Sequence, residues 1–322
     1  MVSVGANTDI TKLAARIFVF LLLVFVLLYI LTWTNTLKCK SLPGWCGIYY
    51  AIRGKPKVLI AVGEDGLGDP ELLKTLMSNP RSLGVRPDIR NIDMLKAGNL
   101  KEYDLVIVEK ARKMSSEKVR MFVEYANQGG NLIWTGDAAA EAFSDEEFLY
   151  GDELGDSNKP HTVINPWARK HEDTAILLNE LLSLEYVCNY KDIIGEVSHE
   201  TLVGNLMPLS PDNPFVYGIS PSLTFYITPE TDFAVVKTIE KGTSTSIMVL
   251  NTGANVTHNG KSYGKTLPFI VTNAKGNIIG LKIGENVAYY AMPPEYFMHE
   301  SLPKENRYPT ILEKMFIGML YG

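Results

Sequence analysis

Glu64, Asp65, Asp69, Glu109, Lys110, Thr135 and Asp137 are the residues of this 322-residue chain whose types and placement could serve one ligand site. Carboxylates can act as general acids and bases or hold a cation. Each of these residues lies in or beside the loop that follows a short apolar run, in the loops Gly63 to Asp69, Glu109 to Lys113 and Thr135 to Ala138. In an open parallel sheet, ligands bind outside the carboxyl ends of the strands, so these loops form one candidate ligand-binding edge. Gly63, Gly66 and Gly68 hint at a phosphate loop, but their spacing is not G-x-G-x-x-G. Glu64, Asp65 and Asp69 would also repel phosphate, so turn chemistry is the favoured reading of these glycines.

Other chemistry is thinner. His171-Glu172-Asp173 could supply metal ligands, but adjacent helical residues point in different directions, and a capping turn fits better. His161, His199, His258 and His299 join no motif. Cys188 is expected in a buried strand, and pairing it with a histidine would require proximity in space. Cys39 and Cys46 flank Pro43-Gly44, a turn that could bring them together as a disulfide in an oxidising compartment. With no histidine nearby, two cysteines are too few for zinc. The acidic run Asp145, Glu146, Glu147, Asp152, Glu153 and Asp156 reads as a solvated loop, with a cation site as the lesser alternative. No cofactor is implied. A net charge of -5 without a basic patch argues against nucleic acid as a partner. Asn255-Val256-Thr257 is a glycosylation sequon.

The elements that must position these residues begin at Lys57 to Gly63, a buried strand. Asp69 caps the helix that follows, and Pro70 takes its first position. Val85 to Ile92 is a weaker strand, confined by Pro87 to an edge or to its second half. Tyr103 to Val108, a helix capped by Ser115, and Asn131 to Trp134 make a βαβ unit. A short helix is expected over Asp137 to Phe143, and Glu172 to Leu184 is expected to be helical. Strands are expected at Leu223 to Ile227, Phe233 to Val236, Ser246 to Leu250, Phe269 to Thr272, Asn277 to Leu281 and Asn286 to Tyr290, before a closing helix from Pro309. The fold class is α/β: a doubly wound, mostly parallel, flavodoxin-like sheet with antiparallel additions.

Ahead of this domain, Ile17 to Trp33 is an almost unbroken apolar run. Taken from Leu13, it matches the ~30 Å hydrocarbon core at ~1.5 Å per residue. Its length and the absence of a small-x-small site favour a single-pass transmembrane anchor over a cleaved signal peptide. The expected organisation is a tail over 1–12, the anchor over 13–33, a connector over 34–55 and the α/β domain over 56–322. Lys12 and Arg16 before the anchor nearly balance Lys38 and Lys40 after it. The short tail, the cysteine pair and the sequon together favour an extracytoplasmic domain.

Tyr103-Asp104-Leu105-Val106-Ile107-Val108, the helix start Ser115-Ser116-Glu117 and Gly129-Gly130-Asn131-Leu132-Ile133 resemble the class I glutamine amidotransferase-like fold in its ThuA-like branch. The strand Val287 to Tyr290 and the helix from Pro309 resemble its ending, so the likeness spans most of 57–322. Active members carry a cysteine in the sharp turn after the strand equivalent to Leu132 to Thr135, and here that position is Gly136. Amide hydrolysis by that route needs an activated thiolate. The resemblance therefore implies a non-catalytic domain that binds a ligand or a protein partner. Cysteine-less domains of this kind occur in an intraflagellar transport protein and in a non-catalytic component of oligosaccharyltransferase. The alternatives are a carboxylate- or metal-dependent hydrolase using Glu64, Asp69 and Asp137, and a structural subunit of a membrane complex.

Overall fold

Strand β1 (Val58–Val62), β2 (Asp88–Asn91), β3 (Leu105–Glu109) and β4 (Leu132–Thr135) begin the main sheet. It continues with β5 (Thr201–Pro208), β6 (Leu223–Ile227), β7 (Thr245–His258), β8 (Lys261–Thr272) and β9 (Val287–Tyr290). The computed structural model describes residues 5–34, 37, 39–42, 44–144, 147–150, 163–239, 244–273, 275–278 and 281–321. The nine strands lie in the order β6-β5-β7-β8-β9-β4-β3-β1-β2. The half from β9 to β2 is parallel, and the half from β6 to β9 is antiparallel. This is a mixed α/β sheet with antiparallel strands appended to a parallel one. The apolar runs read as buried strands are covered on both sides: Val58, Leu59, Ile60 and Leu105 to Val108 are at most 1 % exposed.

From β1 the chain passes through the helix Pro70–Ser78 to β2 on one side, then crosses back through β3 and the helix Ser116–Asn127 to β4 on the other. Right-handed crossovers in opposite directions put those helices on opposite faces. The direction reverses between β1 and β3, so their carboxyl ends form the switch point. Asp69 accepts the Leu72 N–H at 3.1 Å as N-cap, and Ser115 accepts that of Lys118 at 3.4 Å. Pro87 precedes β2, which is an edge strand of four residues. β7 and β8 form a long hairpin turned by Asn259-Gly260, both with positive φ, the twist-compatible turn that this pair favours.

Several expectations are corrected. Asp137 to Phe143 is a turn, not a helix. Ala139 has a φ of 56° and donates its N–H to Ala111 across the loop, so the bonds run sideways. Glu172 to Leu184 is not one helix. Ala168–His171 and Thr174–Leu177 form a hairpin, and only Leu178–Leu182 is helical. Glu172 and Asp173 both have positive φ, so His171-Glu172-Asp173 runs into a two-residue turn. Asn277 to Leu281 divides into paired strands Lys275–Ile278 and Leu281–Gly284. Strand β5 has no counterpart in the sequence reading. Cys188 is buried in the strand Leu184–Asn189, which pairs with Ala234–Thr238. In the acidic run, Asp145, Glu146, Asp152, Glu153 and Asp156 lie outside the described residues, as does His161.

The N-terminal helix runs Gly5–Trp33, so the tail is helical from Gly5. Its segment Lys12–Trp33 is long and apolar enough to cross a membrane, with a mean hydropathy of 2.8. Its large side chains are uncovered; Phe18 is 66 % and Leu23 63 % exposed. The connector holds an unexpected helix, Trp45–Arg53. Trp45, Cys46 and Tyr49 on that helix pack against Phe25, Leu28 and Tyr29 of the first one. The Trp45 indole N–H donates to Thr32 at 2.8 Å. A disulfide joins Cys39 and Cys46, whose Cα atoms are 4.8 Å apart. Their sulfurs lie 3.5 and 3.3 Å from the Leu320 carbonyl oxygen, which seats the connector on the end of the closing helix Pro309–Leu320.

Candidate functional site at the carboxyl edge

The loops that follow β1, β3 and β4 converge at the switch point and are bonded to one another. Lys110 donates its N–H to Leu67 at 2.7 Å, and Gly63 donates to Lys110 at 3.1 Å. Arg112 donates its N–H to the Asp65 carbonyl at 2.9 Å, and Lys113 donates to the Asp65 carboxylate at 3.3 Å. A Cβ on Gly66 would lie 2.8 Å from the Arg112 nitrogen and 2.9 Å from Asp137 Oδ1. The glycine-rich loop is therefore shaped by packing against its neighbours.

Asp137 is the centre of this contact. It is 1 % exposed and accepts the Leu67 N–H at 2.8 Å and the Asn189 amide at 3.0 Å. The Arg112 guanidinium lies 3.8 Å away and also pairs with Glu141 at 2.7 Å. Burial raises the Asp137 carboxyl above its ordinary value, opposed by the Asn189 and Leu67 donors and by Arg112. Thr135 is buried, and its hydroxyl donates to Val108 at 2.9 Å.

Glu109, at the end of β3, is 0 % exposed and faces Glu295, also 0 % exposed. Burial first, and then each other's charge and that of Asp69, push the Glu109 carboxyl well up. Burial likewise pushes Glu295 up to about 8. Two carboxyls this close and this dry cannot both ionise, so the pair holds at least one proton at neutral pH. Glu295 accepts the Asp69 N–H at 2.8 Å, and Tyr296 accepts that of Gly68 at 2.9 Å. The turn Pro294–Met298 thus closes over the loop after β1.

Gly136 opens the turn after β4 with a φ of 52°. Its N–H donates to Tyr290 at 2.8 Å, and its carbonyl accepts the Tyr289 hydroxyl at 2.9 Å. A Cβ there would lie 3.0 Å from Leu67 Cβ, so Leu67 fills the space above the turn. Trp134 and Trp167 both donate indole N–H bonds to Ala138, at 3.0 and 2.9 Å. The fully buried Arg169 donates to the carbonyls of Met114, Ala139, Glu141 and Pro166. Together these bonds tie down the backbone around the turn.

The structure therefore gathers Asp65, Asp69, Glu109, Lys110, Thr135 and Asp137 at one edge, while Glu64 lies exposed beside them. Sequence reading missed Arg112, Asn189, Glu295 and Tyr296, which complete the cluster. Glu295 was within reach, because Pro293-Pro294-Glu295 follows the apolar strand Val287–Tyr290 and so sits at the same edge. Asn255 is exposed on β7, three strands from β4 in the sheet order. Among the described residues, no group of His, Cys, Asp and Glu could hold a metal ion.

No family model and no curated protein matches the chain. Solved structures do. A protein of Bacteroides uniformis described as ThuA-like aligns over 82 % of this chain and 90 % of its own, at 13 % identity and a TM-score of 0.50. The N-terminal domain of mmIFT52 aligns over 83 % and 98 %, at 14 % identity and a TM-score of 0.48. A GMP synthase protein of Thermoplasma acidophilum aligns over 83 % and 94 %, at 12 % identity and a TM-score of 0.41. At this identity the likeness to the first of these shows a ThuA-like fold and nothing of the chemistry.

Proposed function

We propose that this protein is a membrane-anchored, non-catalytic amidotransferase-like domain that binds a ligand or protein partner outside the cytoplasm. One observation carries the reading. The turn after β4, where a nucleophile would stand in an amidotransferase, holds Gly136 in left-handed backbone with Leu67 packed over it. Glycine has no side-chain atom to attack an amide carbon, and a Cβ at this position would already lie 3.0 Å from Leu67. The free thiol of Cys188 cannot substitute. It is buried, and burial pushes it up to about 12, so it carries almost no thiolate.

The carboxylates favour the same reading over a hydrolase. Asp137 is saturated by Leu67, Asn189 and Arg112, and Glu109 and Glu295 face each other without solvent. A hydrolytic carboxylate has to reach substrate and water. The exposed charged groups at this edge include Glu64, Asp65 and Lys113. The disulfide and the exposed sequon at Asn255 support placement on an oxidising side.

The test is ammonia release from glutamine by the purified full chain in detergent, alongside Asp137→Asn and Glu109→Gln proteins. No release above buffer is expected from any of them. Turnover by the parent chain that either substitution abolishes would overturn the non-catalytic reading. Thiol labelling of intact cells tests the placement: Cys39 and Cys46 are expected to label only after reductant is added outside. Labelling without reductant, or only after lysis, would put the domain elsewhere.

A further inference from the structure

Cations that are scattered in the sequence meet at the opposite, amino edge of the parallel sheet. Lys55 and Lys57 lead into β1, and Arg86 and Arg90 flank and enter β2. They line a groove of about 560 Å³ together with Asp88 and Glu102. Four cations against two carboxylates leave a surplus of two positive charges. Asp88 is already engaged, accepting the Tyr103 hydroxyl at 2.8 Å and lying 4.0 Å from Arg90. Lys57 and Arg86 are exposed and have no side-chain partner among the described residues.

The position of this groove is as telling as its charge. Tyr103 forms part of its wall and also lines a neighbouring cavity of about 380 Å³. That cavity is also lined by Thr32, Trp33 and Thr34, where the apolar helix ends. Trp33 is the interfacial aromatic of that helix, so its depth marks the headgroup layer. Tyr29, Tyr49, Tyr50 and Tyr321 form a continuous run of ring contacts at the same end, with centroids 5.2 to 5.6 Å apart. Aromatic rings of this amphipathic kind collect at headgroup depth. One cavity therefore separates the groove from that end of the helix, with Tyr103 lining both.

We propose that this groove binds the phosphate of an anionic phospholipid headgroup, so that the domain is held against the bilayer by headgroup contacts as well as by its helix. The inference rests on the anchor reading. Phosphate suits the site because its oxygens accept from several Lys and Arg donors at once. A volume within the ~300–1,000 Å³ of small-molecule sites admits a headgroup with its water. A lipid is favoured over a soluble phosphate because the helix holds the groove next to a surface where headgroups are concentrated, which makes weak contacts effective.

The experiment uses the full chain, purified in mild detergent and stripped of lipid. It is offered equal amounts of phosphatidylglycerol and phosphatidylcholine, and bound lipid is counted by native mass spectrometry. Phosphatidylglycerol is expected to be preferred. In the Lys57→Gln/Arg86→Gln protein the preference should fall about thirty-fold, the loss expected for two interfacial cations, with the unfolding midpoint unchanged. An equal preference for both lipids in the parent chain, or one that survives the double substitution, would overturn the proposal. So would displacement of the lipid by inorganic phosphate at the same concentration, which would make the ligand a soluble one. Alkaline carbonate extraction of native membranes separates the two readings. Release of the chain would sink the anchor, whereas retention with no lipid preference would sink the groove alone.

Discussion

Glu109 and Glu295 illustrate what burial does to single residues. Both carboxyls are raised above their ordinary value near 4.5, Glu295 to about 8. A carboxyl raised by folding favours the folded state fully below its unfolded value, and that contribution is lost as pH rises through the folded one. Stability is therefore expected to decline from pH 5 toward pH 8.5. Glu295→Gln keeps an acceptor for the Asp69 N–H and removes the ionisation. It should flatten that decline, by about 1–3 kcal/mol at the alkaline end, read from unfolding midpoints at the two pH values. An unaltered pH profile would mean that the pair titrates as exposed carboxyls do. At Asp137 the opposite is expected. Asn places an amide where Arg112 and Asn189 need an acceptor, so Asp137→Asn should cost about 2–4 kcal/mol. A stability within experimental error of the parent would show that its contacts are incidental.

At the scale of elements, the turn after β4 and the connector are the parts whose behaviour can be separated. Gly136→Cys would place a thiol in a turn that already has left-handed φ, at the position where the proposed reading expects a nucleophile to be missing. Its Cβ would meet Leu67, and a side chain in that backbone region is strained. The substitution should destabilise by about 1–3 kcal/mol and yield no glutamine hydrolysis. Activity gained in that protein would mean that Leu67 moves aside and that only the nucleophile is missing. The connector is closed by a short disulfide loop and rests on Leu320. Reduction should speed hydrogen exchange across 39–53 while leaving β1, β3 and β4 protected, since those strands carry their own cover. Loosening of the central strands on reduction would show that the connector supports the whole sheet.

Taken whole, the molecule has two ends with different demands. Its apolar helix leaves side chains such as Leu21 and Leu23 about three-fifths uncovered, at 59 and 63 %. Uncovered apolar area of this extent needs lipid or protein around it. A chain beginning at Lys55 keeps the main sheet and its helices and should be soluble. One beginning at Leu37 keeps Trp45 and Tyr49 but loses Phe25, Leu28 and Tyr29, and it should aggregate. Equal solubility of the two, in gel filtration without detergent, would show that the connector cluster does not depend on the first helix.

The sequence by itself determined the features that depend on neighbours along the chain. The apolar run to Trp33, the β1–β3–β4 strands, the caps at Asp69 and Ser115, the Asn259-Gly260 turn and the closing helix from Pro309 were all legible. Each is set by periodicity or by a local hydrogen bond that needs no distant partner. The sequence also placed the acidic loops at one edge, because parallel strands deliver their following loops together. The helices expected at Asp137 to Phe143 and Glu172 to Leu184 failed because cross-loop bonds to Ala111 and a positive-φ turn at Glu172-Asp173 outweighed local propensity. Tertiary structure alone decided that Asp137 is saturated, that Glu109 meets Glu295 from 186 positions away in a dry contact, and that Leu67 fills the space over Gly136. It also gathered Lys55, Lys57, Arg86 and Arg90 into a basic groove that a chain of net charge -5 does not display in its sequence. Charge, burial and proton affinity depend on distances in space, and those are fixed only when strands far apart in sequence lie side by side.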